Sequence, residues 1–243
     1  MLRSIKEQFG YEVHATDGDI GKVDDFLFDD IAWIIRYLVV DTGSWLSNRK
    51  VLVSFDALGQ PDWSLRELPL NIDSDQVKNS PLLEENEPVS LRYQMELHEY
   101  YKWAPYWEDS SYKASAGTHP TVGPLEQNVE DQADLHLRST NEVLGYHIQA
   151  LDGEIGHVED YIVEDENWII RYVVVDTRNW LPGRKVLVSP LWVENVSWSA
   201  GKVYVDLSRE VIKDGPEFDS RAVVNREYEI QLYDYYGRPR YWE

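Results

Sequence analysis

The chain has 243 residues, no Cys, 44 Asp and Glu against 23 Lys and Arg, and a formal net charge of −21. The lack of Cys excludes disulfides, thiolate nucleophiles and Cys-bound metals, and it is consistent with a reducing compartment. The charge argues against nucleic acid and anionic membranes as partners, because both are held mainly by Lys and Arg. The start, MLRSIKEQFGYEV, has no apolar core of a signal peptide. Arg36 cuts the longest apolar runs far short of the roughly 20 residues a membrane helix needs. The expectation is a soluble, cytoplasmic protein. Ten Trp and sixteen Tyr against five Phe point to half-buried rings with a polar handle, placed at seams or interfaces.

The chain repeats itself at an offset of 135 residues. Leu2-Arg3-Ser4 aligns with Leu137-Arg138-Ser139, Asp17-Gly18 with Asp152-Gly153, and Trp33 to Ser54 with Trp168 to Ser189. The ends align too: Tyr106-Trp107-Glu108 with Tyr241-Trp242-Glu243. Two domains follow, 1–108 and 137–243, joined by a linker 109–136 rich in Ser, Gly and Pro and then acidic.

Within each copy the first element is a hairpin turning at Asp17-Gly18, a strong signal for a tight primed turn. Gly21 and Gly156 suggest a bulge just after it. A third strand runs from Trp33 to Val40, with apolar residues on both faces, so it is expected to be covered on both sides. Arg36 and Arg171 sit within this strand. Each needs a partner, with Asp25 and Asp160 as candidates, or must snorkel to water. A fourth strand spans Lys50 to Phe55. A fifth and sixth are expected at Trp63–Arg66 and Glu67–Ile72, matched by Trp198–Lys202 and Val203–Leu207. A short helix at 74–79 follows, capped by Asp73 or Ser208, and then a longer one at 91–103, capped by Ser90 or Asn225. Its expected buried face is Tyr93, Leu97, Tyr100, Tyr101 and Ala104. An aromatic tail closes each copy and should dock on a barrel or on the partner unit. The fold class is therefore mainly β with short helices: two tandem small antiparallel β-barrels of about six strands, each with a C-terminal helix and aromatic tail.

DGDIGKVDDFLFD followed by WIIRYLVVDTGSWLSNRKVLVS resembles the PRC-barrel family, named for the cytoplasmic barrel of the photosynthetic reaction-centre H subunit. The second copy resembles it as well. The likeness lies within roughly residues 11–58 and 146–193. It implies a small barrel in each half and an adaptor-like role without known catalysis. The chain departs from the H subunit, having no N-terminal membrane helix, and from the family's ribosome-maturation factor, lacking its basic companion domain. Neither specific role carries over.

No common catalytic motif is present, and no cofactor is called for. The six His, at 14, 98, 119, 136, 147 and 157, lack metal-ligand spacing and are expected at the surface. Asp24, Asp25, Asp29 and Asp30 recur as Glu159, Asp160, Glu164 and Asp165. Their spacing is not that of a calcium loop, and a solvated rim is the expectation. The candidate site is the loop between strands three and four: Trp45, Arg49 and Lys50, repeated as Trp180, Arg184 and Lys185. An exposed Trp beside Arg-Lys suits an anionic group or a partner's surface. Alternatively the Trp plugs a barrel end and Asp41 pairs with Arg49. Tyr100, Tyr101, Trp107, Tyr235, Tyr236 and Trp242 are the candidate interface residues, at a seam between the barrels or in a homodimer. The reading is a non-enzymatic protein-interaction module with an unidentified protein partner, and the alternative is a binding module for a small anionic ligand.

Overall fold

A computed structural model of the chain describes residues 1–83, 89–108, 136–177 and 184–243. All of the expected linker except His136 lies outside the described residues. The strands are β1 Leu2–Ser4, β2 Glu12–Ala15, β3 Gly18–Asp29, β4 Ile34–Asp41, β5 Lys50–Ser54, β6 Glu67–Pro69 and β7 Leu137–Ser139, then β8 His147–Ala150, β9 Gly153–Glu164, β10 Ile170–Asp176, β11 Lys185–Val188, β12 Val193–Ser197 and β13 Lys202–Val205. The helices are α1 Ser74–Lys78, α2 Leu91–Tyr101, α3 Thr140–Val143, α4 Arg209–Asp214 and α5 Arg226–Tyr236. The protein is thus mainly β with short helices.

Two compact units divide the chain: Gln8–Thr140, and Met1–Glu7 together with Asn141–Glu243. The first holds a sheet in the order β5-β4-β3-β2-β6, with β7 also on β3. The second holds a sheet in the order β11-β10-β9-β8-β13-β12, with β1 also on β9. Neither path returns to its start, so neither sheet closes into a hydrogen-bonded barrel. Nor are the sheets wholly antiparallel, because β2–β6 and β8–β13 are parallel. After the fourth strand of each copy the chain crosses over and lies beside the first hairpin strand in the same direction.

Each unit is organised on its long strand. β3 pairs with β4 along one edge, while its other edge is shared by β2 in the first half and β7 in the last three residues. β9 is divided in the same way between β8 and β1. The edge is split because the strand bends at a bulge, where Val13 faces Gly21 and His14 faces Asp19. Gly21 has φ 151°, and a Cβ there would stand 2.1 Å from the Asp41 carbonyl oxygen. At Gly156, with φ 155°, the distance to the Asp176 oxygen is 2.0 Å. Only glycine allows the two backbones to approach so closely.

Several expectations need correction. The turn between β2 and β3 consists of Thr16 and Asp17, one residue earlier than the Asp-Gly pair, and neither has positive φ. The Asp17 carboxylate instead accepts from the Ser74 amide and hydroxyl, tying the turn to α1. Trp33 and Trp168 are not strand residues; they sit at φ 55° and 58°, at the turn before β4 and β10. Residues 63–66 form no strand, because the Asp62 side chain accepts from the amides of Ser64 and Leu65 and folds the segment into a turn. In the second copy the extra strand is β12, ahead of Trp198, and not at 198–202.

The helix caps are where the spacing placed them. Asp73, Ser90, Ser208 and Asn225 each accept an amide from the first turn. The buried face of α2, however, is Gln94, Leu97, His98 and Tyr101. That face has helical spacing too, but two of its members are polar. Core residues come from both faces of the central strands, among them Phe26, Phe28, Tyr37, Leu38 and Val40 in the first unit.

Candidate functional site

The loop from β4 to β5 is a short 3-10 turn, Gly43–Leu46, closed by two residues in the left-handed region, Ser47 and Asn48. Its neck is fixed by Thr42, whose amide and hydroxyl both donate to the Arg49 carbonyl. Asp41 does not pair with Arg49 but accepts from the Gly43 amide at 2.9 Å. Trp45 is 42% exposed, so it does not plug a barrel end. The counterpart Thr177 binds the Arg184 carbonyl in the same way. Trp180 lies outside the described residues.

The two cations of the loop do not converge. Arg49 donates to the carbonyls of Lys78, Ser80 and Pro81, at 3.1, 2.6 and 2.7 Å. These lie at and just beyond the end of α1, so the guanidinium satisfies the carbonyls that a helix end leaves over. Arg184 does the same with Lys213 and Gly215. Lys50 turns to the opposite side and meets Asp24 on β3 at 2.8 Å, a hydrogen bond that raises its pKa. Lys185 meets Glu159 at 2.9 Å. The loop thus offers one exposed ring with both cations already engaged in the fold.

The repeated carboxylates have an equally definite place. Asp24 is the extra residue of a bulge on β3, between Val23 and Asp25. Asp29 pairs with Arg36 at 2.8 Å and also caps the following turn at Ile31 and Ala32. The expected partner, Asp25, is turned away from Arg36. It accepts instead from the hydroxyls of Ser139 and Thr140. Asp30 meets His136 and Arg138, each at 3.0 Å. The second copy repeats this with the first copy's own N-terminal residues. Asp160 accepts from the Ser4 hydroxyl at 2.5 Å and the Lys6 amide at 3.0 Å. Asp165 meets Arg3 at 2.6 Å and the amino group of Met1. Glu164 pairs with Arg171. Burial raises the pKa of Asp160, against the two bonds from Ser4 and Lys6. Burial also acts on Glu164, but the Arg171 and Asn167 hydrogen bonds outweigh it and the net shift is downward.

A solvated rim therefore does not describe these residues. Asp25 is 8% exposed and Asp29 1%, because β7 covers one and Arg36 the other. Sequence reasoning missed the covering strands β1 and β7. The signal was the shared Leu-Arg-Ser, but three residues carry no period, and their partners lie far away in the chain.

The aromatic residues at the ends of the copies pack within their own units. Tyr101 stacks on Trp103, with centroids 4.1 Å apart. Trp107 lies 4.8 Å from His98, and Trp242 5.1 Å from Tyr233. Tyr236 packs on Trp192. Tyr100 and Tyr235 remain 38% and 42% exposed, their hydroxyls bound to the carbonyls of Gln76 and Val211. His98 was expected at the surface and is 4% exposed. Its Nε2 lies 2.8 Å from the Tyr37 hydroxyl, and the side chain belongs to the core beneath α2. Burial lowers its pKa.

No helix among the described residues is long and apolar enough to cross a membrane. None of the curated proteins compared with the chain matches it. The sequence model of the PRC-barrel domain matches residues 3–74. The match covers β2 to β6 and ends at the first residue of α1, taking in the hairpin, central strands and Arg-bearing loop just described. Over residues 3–74 the chain is thus similar to the PRC-barrel domain.

Proposed function

We propose that the chain is a non-catalytic protein-interaction or assembly module of two PRC-barrel repeats, 1–108 and 137–243, joined by the linker 109–136. The observation that carries this reading is the use of the repeated carboxylates. In both copies all four are engaged in holding strands and turns, which leaves no acid/base pair aimed at a substrate. The second repeat is supported by the same strand path at a constant offset, apart from the extra strand β12. The first sheet is read as curling towards a small barrel without closing its hydrogen-bond ladder, a view supported by the family match over residues 3–74 and by the bend at Gly21, and the bend at Gly156 supports the same reading of the second. With a net charge of −21, the fitting partner is a protein with a basic or neutral surface. Trp45, Tyr100 and Tyr235 supply exposed aromatic contact area of the kind that anchors interfaces.

A second reading, a site for a small anionic ligand beside Trp45, is favoured by the exposure of that ring. It is weakened by the commitment of Arg49 and Lys50 to other groups. Capture from native lysate tests the first reading. The chain and a variant carrying Trp45→Ala, Tyr100→Ala and Tyr235→Ala are compared by quantitative mass spectrometry. A defined protein retained by the chain and lost by the variant is the expected result. Equal recovery by both would sink the reading, and so would turnover of a substrate by the purified chain.

A further inference from the structure

The short arms β1 and β7 are exchanged between the copies. Leu2–Ser4 comes from the first copy and pairs with β9 of the second, while Leu137–Ser139 comes from the second and pairs with β3 of the first. The two registers are the same once the offset is removed: Ser4 faces Ile162 and Ser139 faces Leu27, Arg3 faces Val163 and Arg138 faces Phe28. The receiving sites match as well. Each offers a carboxylate to the Ser hydroxyl, Asp160 or Asp25, and another to the Arg, Asp165 or Asp30. Flanking backbone bonds repeat too, from Asp165 to the Met1 carbonyl and from Asp30 to the His136 carbonyl, both at 2.9 Å.

The two arms share Leu-Arg-Ser and its register, and each also has contacts of its own: the Met1 amino group on Asp165 and the Lys6 amide on Asp160 for β1, His136 on Asp30 and Thr140 on Asp25 for β7. A second copy of the chain carries the same arm for each socket, so these contacts do not distinguish the chain's own arm from that of another copy. An empty socket would expose the edge of β9 at 162–164 or of β3 at 27–29, and an open edge recruits a strand. We propose that the sockets on β3 and β9 are strand-acceptor sites for a second copy of this chain, so that two chains close the exchange reciprocally into a dimer. This rests on the reading of the protein as an assembly module and names its partner. Intermolecular closure makes the same bonds as closure within the chain, so it competes through concentration alone.

Charge reversal separates arms from sockets in the full-length chain. One variant carries Arg3→Glu and Arg138→Glu, with its sockets intact. The other carries Asp30→Arg and Asp165→Arg, with its arms intact. Each alone sets like charges against each other, while each variant's arms fit the other's sockets. Co-refolding the two should give a one-to-one heterodimer of twice the 28.4 kDa of one chain by light scattering and native mass spectrometry. Each variant alone should stay at the single-chain mass. No heterodimer, or equal dimerisation of either variant alone, overturns the proposal. Should the variants not fold, the unaltered chain is refolded as an isotope-labelled and unlabelled mixture. Mixed-isotope dimers should then rise with refolding concentration, and their absence up to about 1 mM, the effective concentration of a short flexible tether, overturns it. A chain that captures a foreign partner from lysate but forms no mixed dimer fails here alone, and the interaction reading survives.

Discussion

The two units bury the same arrangement under their long C-terminal helices, but with different chemistry. In the first, Tyr37 donates to Gln94 at 3.1 Å, Tyr106 donates to the same oxygen at 2.8 Å, and His98 shares the Tyr37 hydroxyl. In the second, Tyr172 and Tyr241 donate to Glu229, each at 2.8 Å, and Tyr233 stands in the place of His98. An Arg lies over the tail tyrosine in both, Arg36 at 4.2 Å from Tyr106 and Arg171 at 4.1 Å from Tyr241. The decisive difference is one helical turn earlier. Arg226 pairs with Glu229 at 3.0 Å, while the matching position beside the neutral Gln94 is Leu91. Glutamate thus occurs with an arginine, and glutamine with a leucine. Burying a carboxylate is costly unless hydrogen bonds and a cation attend it. The duplicated fold has solved this twice, once with the charge and once without.

The largest test forces the first unit into the second's chemistry without its cation. Gln94→Glu keeps the two tyrosine donors but buries a charge opposite Leu91. It should cost about 2 kcal/mol, measured as a lower urea midpoint at unchanged slope. Adding Leu91→Arg should return about 1 kcal/mol, because the helix then carries an i,i+3 pair that is partly open to solvent. If the single and double variants unfold at the same midpoint, the cation does not explain the difference between the units.

This polar core marks the limit of what the sequence alone made legible. Apolar periodicity located β3, β4 and β5 and their counterparts, and the cap residues located α1, α2, α4 and α5. The helix face was misplaced because Gln94 and His98 belong to the core for their hydrogen bonds, and hydropathy cannot register that. The carboxylates were visible as a repeated pattern, but their partners were not. Asp25 and Asp30 bind residues more than 100 positions later, and local spacing holds no information about such pairings. The candidate loop was found by its repetition. In the structure Arg49 binds the carbonyls at the end of α1, a use that requires no ligand.

A second difference between the units should appear on acidification. Burial holds His98 below the ordinary histidine pKa of 6.5, so it stays neutral in the folded chain while the unfolded chain takes up a proton. The stability it permits is present above the unfolded value and is lost as pH falls from about 6.5 towards the folded value. The slope reaches at most about 1.4 kcal/mol per pH unit. Tyr233 has no such titration. His98→Tyr should therefore flatten the pH dependence of the urea midpoint between pH 7 and 5 without removing the ring from its aromatic surroundings. The exposed histidines are the same in both proteins, so the difference between the two curves belongs to position 98. Parallel curves would mean that the imidazole is protonated as readily in the fold as out of it.

The smallest effect comes from making the second unit like the first. Glu229→Gln leaves an oxygen to accept from Tyr172 and Tyr241 and removes only the charge. Arg226 loses its ion pair but is half exposed and lies over the Trp242 ring at 4.1 Å, so water and the aromatic face can still receive it. The expected cost is under about 1 kcal/mol, well below that of Gln94→Glu. The two changes are chemical opposites at equivalent positions, and their unequal costs follow from what each leaves behind. One strands a charge inside, and the other releases a cation to solvent. A cost for Glu229→Gln as large as that for Gln94→Glu would show that the carboxylate itself orders the core of the second unit. The pairing of Glu229 with Arg226 would then be incidental to it.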